Sequence, residues 1–315
     1  MFNGKRDTSE SRINDLLKEL RSLALQNPAD PALRGHLSRG LFSALTFVTE
    51  SGDTDERDRI VQDLRDLAGE HPEDDIVRGN LARALFNALN YAQSDGNVSE
   101  RDRSLQELRA LSADHPGDDA VQEHLAKALF NALNYAKDDG DLSARDTILG
   151  ELRAVHEQSG DTDGARLRLA KGLFNALSHS VEENDPSRAQ SLLGELRVLS
   201  AGHSEDVETR ARFSKGLATV LHQTCQAQDT AACSELLEEL REIAGAHPDH
   251  LVLRESLAMG LSDTLQLIGE KGDPDRRADL LEELRMLASN HPDVESIQAR
   301  LASGIVSELS LARQD

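Results

Sequence analysis

The sequence has no Trp and very few aromatic side chains of any kind: two Tyr and seven Phe make up only 3% of its 315 residues. A compact globular core normally contains more large rings, because each ring buries a large apolar area. Leu and Ala can fill the space between helices that stack on one another. The scarcity of aromatic residues therefore favours a stack of helices.

Cysteines and long apolar runs are also scarce. The two cysteines, Cys225 and Cys233, lack the spacing of a zinc or redox motif, so we interpret them as packed free thiols in a reducing compartment. No apolar stretch approaches the roughly 18 residues that a membrane span needs, and residues 1–7 lack the apolar run of a signal peptide. The sequence therefore predicts a cytoplasmic protein with no membrane partner.

Positive charge is in short supply. The chain has 57 acidic residues against 35 basic ones, and its formal net charge is −22. Nucleic acids are bound by clustered Lys and Arg, which neutralise the phosphates. The charge balance therefore argues against a nucleic-acid partner.

What the sequence does contain is a triplet, Glu-Leu-Arg, that returns every 44 residues without insertion or deletion. The triplets begin at Glu19, Glu107, Glu151, Glu195, Glu239 and Glu283, with Asp63-Leu64-Arg65 as the one variant. Self-similarity at a fixed period of 20–50 residues indicates stacked repeats. Counted from Asp7, the chain divides into seven units, which are residues 7–50, 51–94, 95–138, 139–182, 183–226, 227–270 and 271–314.

Each unit is predicted to form a helix, a short break and a second helix. In the unit 95–138, Asn97 is predicted to cap the first helix, because its side chain can accept from the free N–H groups of the first turn. The pair His115-Pro116 ends that helix, since Pro disfavours helix at the preceding residue. The capping column contains Ser9, Asp53, Asn97, Asp141, Asp185, Asp229 and Asp273, and the His column contains His71, His115, His203, His247 and His291. The first and last helices are expected at about 11–26 and 294–313.

A small residue recurs in the second helix of every unit, at Gly40, Ala84, Ala128, Gly172, Gly216, Gly260 and Gly304. Gly inside a helix costs about 1 kcal/mol relative to Ala, so we expect a neighbouring helix to approach closely there. The sequence predicts an all-α protein: a right-handed α-α solenoid of tandem helix-turn-helix repeats, with about fourteen helices in a single domain over residues 1–315.

This arrangement resembles the tetratricopeptide repeat, across the whole chain in architecture. The order is clearest from Pro116 to Gly160: helix A (120–136), the turn Asp139-Gly140-Asp141, and helix B (145–156). The unit of 44 residues is longer than the family's usual unit of about 34, and the family's Trp and Tyr positions have no clear counterparts. Helical pairs of the HEAT type stay an alternative.

Catalytic and metal-binding interpretations find little support. No nucleophile elbow, phosphate loop or zinc-helix pair is present, so we predict a protein that is not an enzyme and has no cofactor. Equivalent positions in stacked helices lie roughly 10 Å apart, so neighbouring His of the column cannot share a zinc ion. The segment Asp161-Thr162-Asp163-Gly164 resembles a calcium loop, but Ser159 and Ala170 stand where that loop needs acids.

The Glu-Leu-Arg triplets are interpreted as structural, with Leu in the core and the charged residues in ion pairs along or between helices. A second pattern lies on helix A, opposite the apolar face. Two of its columns hold fourteen positions, of which eight are Arg or Lys and none is acidic, although two or three acids are expected from the composition. We predict peptide-binding residues on this face at Arg39, Arg83, Asn87, Asn90, Lys127, Asn131, Asn134, Arg168, Lys171, Asn175, Arg212 and Lys215.

The family resemblance implies that helix A lines a concave groove. Some tetratricopeptide proteins hold a partner's terminal carboxylate with a basic residue and an Asn four positions later, and Lys127 with Asn131 resembles that pair. Because the pair recurs in adjacent units, an acidic extended segment fits better than one end group. The expected function is a non-catalytic protein–protein interaction scaffold. The alternative is a structural protomer that assembles head to tail, since Ile305 and Leu309 repeat the internal apolar pattern in the last helix.

Overall fold

The computed structural model describes residues 3–160, 162–203, 205–269 and 273–311, with the side chains of residues 3–10, 50, 51, 137 and 142 excepted. The described part of the chain contains fourteen α-helices and no strand. They are α1 (Asn3–Gln26), α2 (Pro31–Ser51), α3 (Thr54–Glu70), α4 (Asp75–Ser94), α5 (Val98–Asp114), α6 (Asp119–Asp138), α7 (Leu142–Gln158), α8 (Asp163–Glu182), α9 (Pro186–Ala201), α10 (Val207–Gln226), α11 (Thr230–Ala246), α12 (Leu251–Ile268), α13 (Pro274–Asn290) and α14 (Glu295–Leu311).

The helices fall into two compact units, residues 1–165 and 166–315. Each helix from α1 to α6, and again from α9 to α13, packs on the next one along the chain. The even-numbered helices are the A helices, and they also pack on the A helix of the following repeat, as α2 does on α4 and α10 on α12. This consecutive packing confirms the predicted all-α solenoid. The prediction that residues 1–315 form a single domain stays a prediction.

The B helices begin where the capping column predicts. The carboxylate of Asp53 accepts from the Glu56 N–H at 3.0 Å, and Asn97 accepts from Glu100 at 3.2 Å. The same column caps α7, α9, α11 and α13. The exception is the first helix, which begins at Asn3 instead of near residue 11, so Ser9 lies inside it. No proline stands between residues 3 and 26 to stop the helix.

The helix ends also follow the sequence pattern. His71, His115, His247 and His291 are the C-terminal cap residues of α3, α5, α11 and α13, and His203 directly follows the cap of α9. The His115 N–H donates to the Leu111 carbonyl at 3.1 Å, and the His115 carbonyl accepts from the Asp118 N–H. The His column therefore closes helices, as expected.

The column of small residues includes two positions where helix A lies tightly against helix B of the same repeat. A Cβ added at Gly260 on α12 would lie 2.8 Å from Cδ1 of Leu240 on α11, and one added at Gly40 would lie 2.7 Å from Cδ1 of Leu20. Real Cβ atoms are not found that close to a neighbour. The predicted close approach is confirmed at these two positions.

The two cysteines are free and buried where α10 meets α11, with 2.7 Å between their Sγ atoms. Burial raises the pKa of both thiols above the ordinary value, which keeps them protonated and unreactive near neutral pH.

We expect neither Cys225 nor Cys233 of the reduced, folded protein to react with a maleimide, and both to react in denaturant. Mass spectrometry counts the adducts. Ser99→Cys, at an exposed position on α5, is the control that should label without denaturant; rapid labelling of the native thiols would contradict the packing.

Candidate functional site

The Glu-Leu-Arg triplets form a ladder of ion pairs that joins successive B helices, as the sequence predicts. Arg109 donates to both carboxylate oxygens of Glu151, at 2.7 and 2.9 Å, which is the bidentate geometry that makes Arg–carboxylate pairs strong. Each pair joins an Arg to the acid 42 residues later. The ladder consists of Arg21 with Asp63, Arg65 with Glu107, Arg109 with Glu151, Arg197 with Glu239, and Arg241 with Glu283.

The ladder is occupied by the protein itself. Burial alone would lower the pKa of Arg65, but hydrogen bonds to Glu107 and Glu100 outweigh it and raise that pKa. The Leu at the centre of the triplet is buried in the core at Leu108, Leu152 and Leu240. The triplets therefore hold repeats together, and we assign them no role in ligand binding.

A second ladder joins successive A helices, and our sequence reasoning missed it. Arg34 pairs with Asp74, Arg78 with Asp118, and Arg166 with Asp206, in each case 40 residues apart. The acid also caps the next A helix, so one carboxylate serves two purposes. The signal was present in the sequence as an Arg and an Asp that recur with the 44-residue period.

The Arg166–Asp206 pair contains the most buried arginine of this second ladder. The Arg166 Nε lies 2.8 Å from Oδ2 of Asp206, and their side chains are 3% and 15% exposed. Burial would raise the pKa of Asp206, but the hydrogen bonds from Arg166 and from the backbone and hydroxyl of Thr209 lower it below the ordinary value. This pair anchors α8 to the start of α10.

In residues 1–165, the predicted binding residues Arg39, Arg83 and Lys127 already contact other groups of the protein. The guanidinium of Arg83 lies over the Phe42 ring, 4.1 Å from its centroid. The ammonium of Lys127 lies 2.5 Å from Glu123, the acid one helical turn earlier. Arg39 is exposed, and its Nε donates to the carbonyl of Gly35.

The amides of this unit are used in the same way. Asn131 on α6 donates to the Asn90 side-chain oxygen on α4 at 2.7 Å, and the Tyr135 hydroxyl donates to the same oxygen at 2.9 Å. Asn134 also interacts with another group of the protein, and Asn87 is half-buried. Asn columns that tie neighbouring helices together explain much of the polar stripe in this unit.

The second unit differs, because three of the predicted cations come together on α8 and α10. Lys171 has a lowered pKa: burial is the main cause, and the positive charges of Arg212 and Arg168 add to it, while Glu208 opposes them. The Nε of Arg212 is buried and has no hydrogen-bond partner within the described residues. We call Arg168, Lys171 and Arg212 the cation cluster. Asn175 lies one turn after Lys171, and Lys215 lies on the α10 turn after Arg212.

Over the ranges that the structure describes, no group of three or more His, Cys, Asp or Glu side chains is placed to hold an ion. The calcium-loop segment includes Asp161, which lies outside those ranges.

No helix among the described residues is long and apolar enough to cross a membrane.

A comparison with models of known protein families finds no match to this chain, and a comparison with curated proteins finds no significant relative. The tetratricopeptide resemblance therefore rests on the helical repeat architecture and stays a hypothesis.

Proposed function

We propose that this protein is a non-catalytic scaffold for protein–protein interaction that binds an acidic or extended peptide segment on its A helices. The observation that carries the proposal is the cation cluster, in which Lys171 is partly buried beside Arg168 and Arg212; burial lowers its pKa most, and the two like charges add to that effect. Like charges held near one another and partly removed from water favour the arrival of an anion. A carboxylate-bearing peptide supplies that anion.

The acidity of the rest of the protein should direct acidic partners to the cation cluster. The protein carries a net charge of −22, so most of its surface repels acidic partners, and a local basic region is then the place where an acidic segment can bind. Asn175 lies one helical turn from Lys171, at the spacing where an amide and an ammonium face the same ligand. We assign this binding to the cytoplasm, because a reducing compartment keeps Cys225 and Cys233 as free thiols.

The proposal predicts that a fluorescent decaglutamate peptide binds the protein and that a decaglutamine peptide does not. Changing Lys171 and Arg212 together to Ala should weaken decaglutamate binding by about tenfold or more, since two charge-assisted contacts are lost. Fluorescence anisotropy titrations at low and at physiological salt measure this effect, and higher salt should weaken binding.

The matched control changes Lys18 and Arg59 to Ala. Both are exposed cations of the B helices, in simple pairs with Asp15 and Glu56, and their loss alters the net charge by the same amount. An equal loss of affinity in both double variants would mean that decaglutamate senses only net charge. No binding at low salt would also reject the cluster as a peptide site.

A further inference from the structure

The outer face of α14 is exposed at positions that are buried in every earlier repeat. Ile305 is 37% exposed and Leu309 is 60% exposed. The residues 44 positions earlier, Leu261 and Leu265, are both 0% exposed. The same two columns are buried at Leu41, Leu85, Leu129, Leu173 and Leu217, and at Leu45, Leu89, Leu133, Leu177 and Leu221.

The internal repeats show what normally covers these columns. Leu265 on α12 is covered by α14, since a Cβ added at Gly304 would lie 3.1 Å from its Cδ2. The helix α12 packs on both α13 and α14, which are the B and A helices that follow it. The face of α14 is thus shaped to receive a B helix and an A helix of the same repeat.

The first B helix has the complementary feature. Leu16 on α1 is 52% exposed, whereas its equivalent on α3, Ile60, is 1% exposed. The same column is buried again at Ile148, Leu192, Leu236 and Leu280. On α3 this position belongs to a helix that packs on the preceding A helix, α2, and α1 is the first helix that the structure describes.

Among the described residues, the ion-pair ladder of the B helices leaves Arg285 on α13 and Glu19 on α1 without a partner on another helix. Arg241 on α11 pairs both with Glu238, three residues earlier, and with Glu283 on α13. Arg285 on α13 has the equivalent local pair with Glu282 and is half exposed. Within the described ranges Glu19 on α1 is exposed and makes no ion pair, although the acids at its equivalent positions accept from the preceding B helix.

We infer that α13 and α14 of one molecule dock on α1 and α2 of a second copy, in the register of the internal repeats. Ile305 and Leu309 then meet the Leu16 face, and Arg285 pairs with Glu19 of the next copy as Arg241 pairs with Glu283. This surface is separate from the cation cluster, so the inference does not depend on the proposed peptide binding. Because the two faces differ, the contact is head to tail and each added copy presents a new α14 face.

The expected behaviour of the intact chain is a weight-average mass that rises with concentration in sedimentation velocity. Changing Val306 and Leu309 to Glu should raise the dissociation constant by about tenfold or more, because two charges enter an apolar contact. Both positions are exposed, at 60% each, so the folded monomer should keep its helicity and melting temperature. A protein that stays monomeric at the highest attainable concentration would overturn the inference.

Mixing two blocked variants tests the head-to-tail direction. The protein with Leu16→Glu lacks a functional head, and the protein with Val306→Glu and Leu309→Glu lacks a functional tail. Each alone should be monomeric, and an equimolar mixture should form a heterodimer that grows no further. Self-association of the Leu16→Glu protein alone would instead show tail-to-tail contact and overturn the proposed register.

The ion pair provides an independent test of register. Arg285→Glu and Glu19→Arg should each weaken association by about fivefold, since each places like charges opposite one another. The chain carrying both substitutions has the original net charge and should return to within about twofold of the original dissociation constant. A double variant as weak as the single ones would exclude this pairing.

Discussion

Replacing Asp206 by Ala should lower the free energy of unfolding by about 3–5 kcal/mol, the largest effect that we expect from a single polar substitution. The reason is that the guanidinium of Arg166, 3% exposed, loses the carboxylate that lies 2.8 Å from its Nε. A buried charge that loses a carboxylate partner cannot recover the hydration that it gave up on folding. The same change removes the cap of α10, where Asp206 accepts from the Thr209 N–H.

Two further variants separate the contribution of the ion pair to the free energy of unfolding from that of the helix cap. Asp185→Ala removes the capping carboxylate of α9 at an exposed position and should cost only about 1 kcal/mol. Asp206→Asn keeps a good capping residue but loses the charge, so its cost should lie well above that of Asp185→Ala. Urea unfolding of the three variants at neutral pH measures these differences. Equal costs for Asp206→Ala and Asp185→Ala would mean that the ion pair contributes nothing beyond the cap.

The pH dependence follows from the pKa of Asp206, which the structure holds below the ordinary value. A carboxyl group whose pKa is lower in the folded than in the unfolded state stabilises the fold fully above the unfolded value, about 3.9 for Asp. That contribution is lost as the pH falls through the folded pKa. The stability difference between the original protein and Asp206→Asn should therefore be constant near neutral pH and shrink below about pH 4.

Much of the fold follows from the sequence because its repeat period is exact. Asp53 and Asn97 cap their helices through contacts with residues three positions away, and such local contacts can be read from sequence alone. The ladder that joins Arg109 to Glu151 could be anticipated because a fixed period brings equivalent residues of neighbouring repeats side by side. The early start of α1 could not, since Ser9 fits the capping column but lies inside the helix, and no proline precedes it to stop the helix.

The candidate site was harder to predict, because a surface Lys or Arg can pair with a nearby acidic side chain or be available to a ligand. Lys127 and Lys171 occupy the same column, yet Lys127 lies 2.5 Å from Glu123 and Lys171 faces two arginines. The sequence pattern treats the two as equal. Whether an acid stands one turn earlier, as Glu123 does, and which residues the next A helix brings near, together decide whether a lysine of this column lies beside an acid or beside other cations.

The second large effect is expected in the core. Leu261→Ala should destabilise the protein by about 2–5 kcal/mol, since Leu261 is fully buried on α12 and its truncation leaves a cavity. Ile305→Ala, at the equivalent position of the next repeat, should cost less than about 1 kcal/mol because that side chain is partly exposed and loses few contacts. Urea unfolding at a protein concentration low enough to keep the chain monomeric compares the two.

The pair of substitutions uses the repeat as its own control, because both remove an aliphatic side chain from one structural position and differ in what covers it. If copies dock through α14, Ile305→Ala should become more costly as the protein concentration rises, since the side chain then lies in an interface. The cost of Leu261→Ala at the α12 position should change far less with concentration. Equal costs for the two variants in the monomer would mean that Ile305 is already covered within one molecule, and would remove the surface on which head-to-tail docking depends.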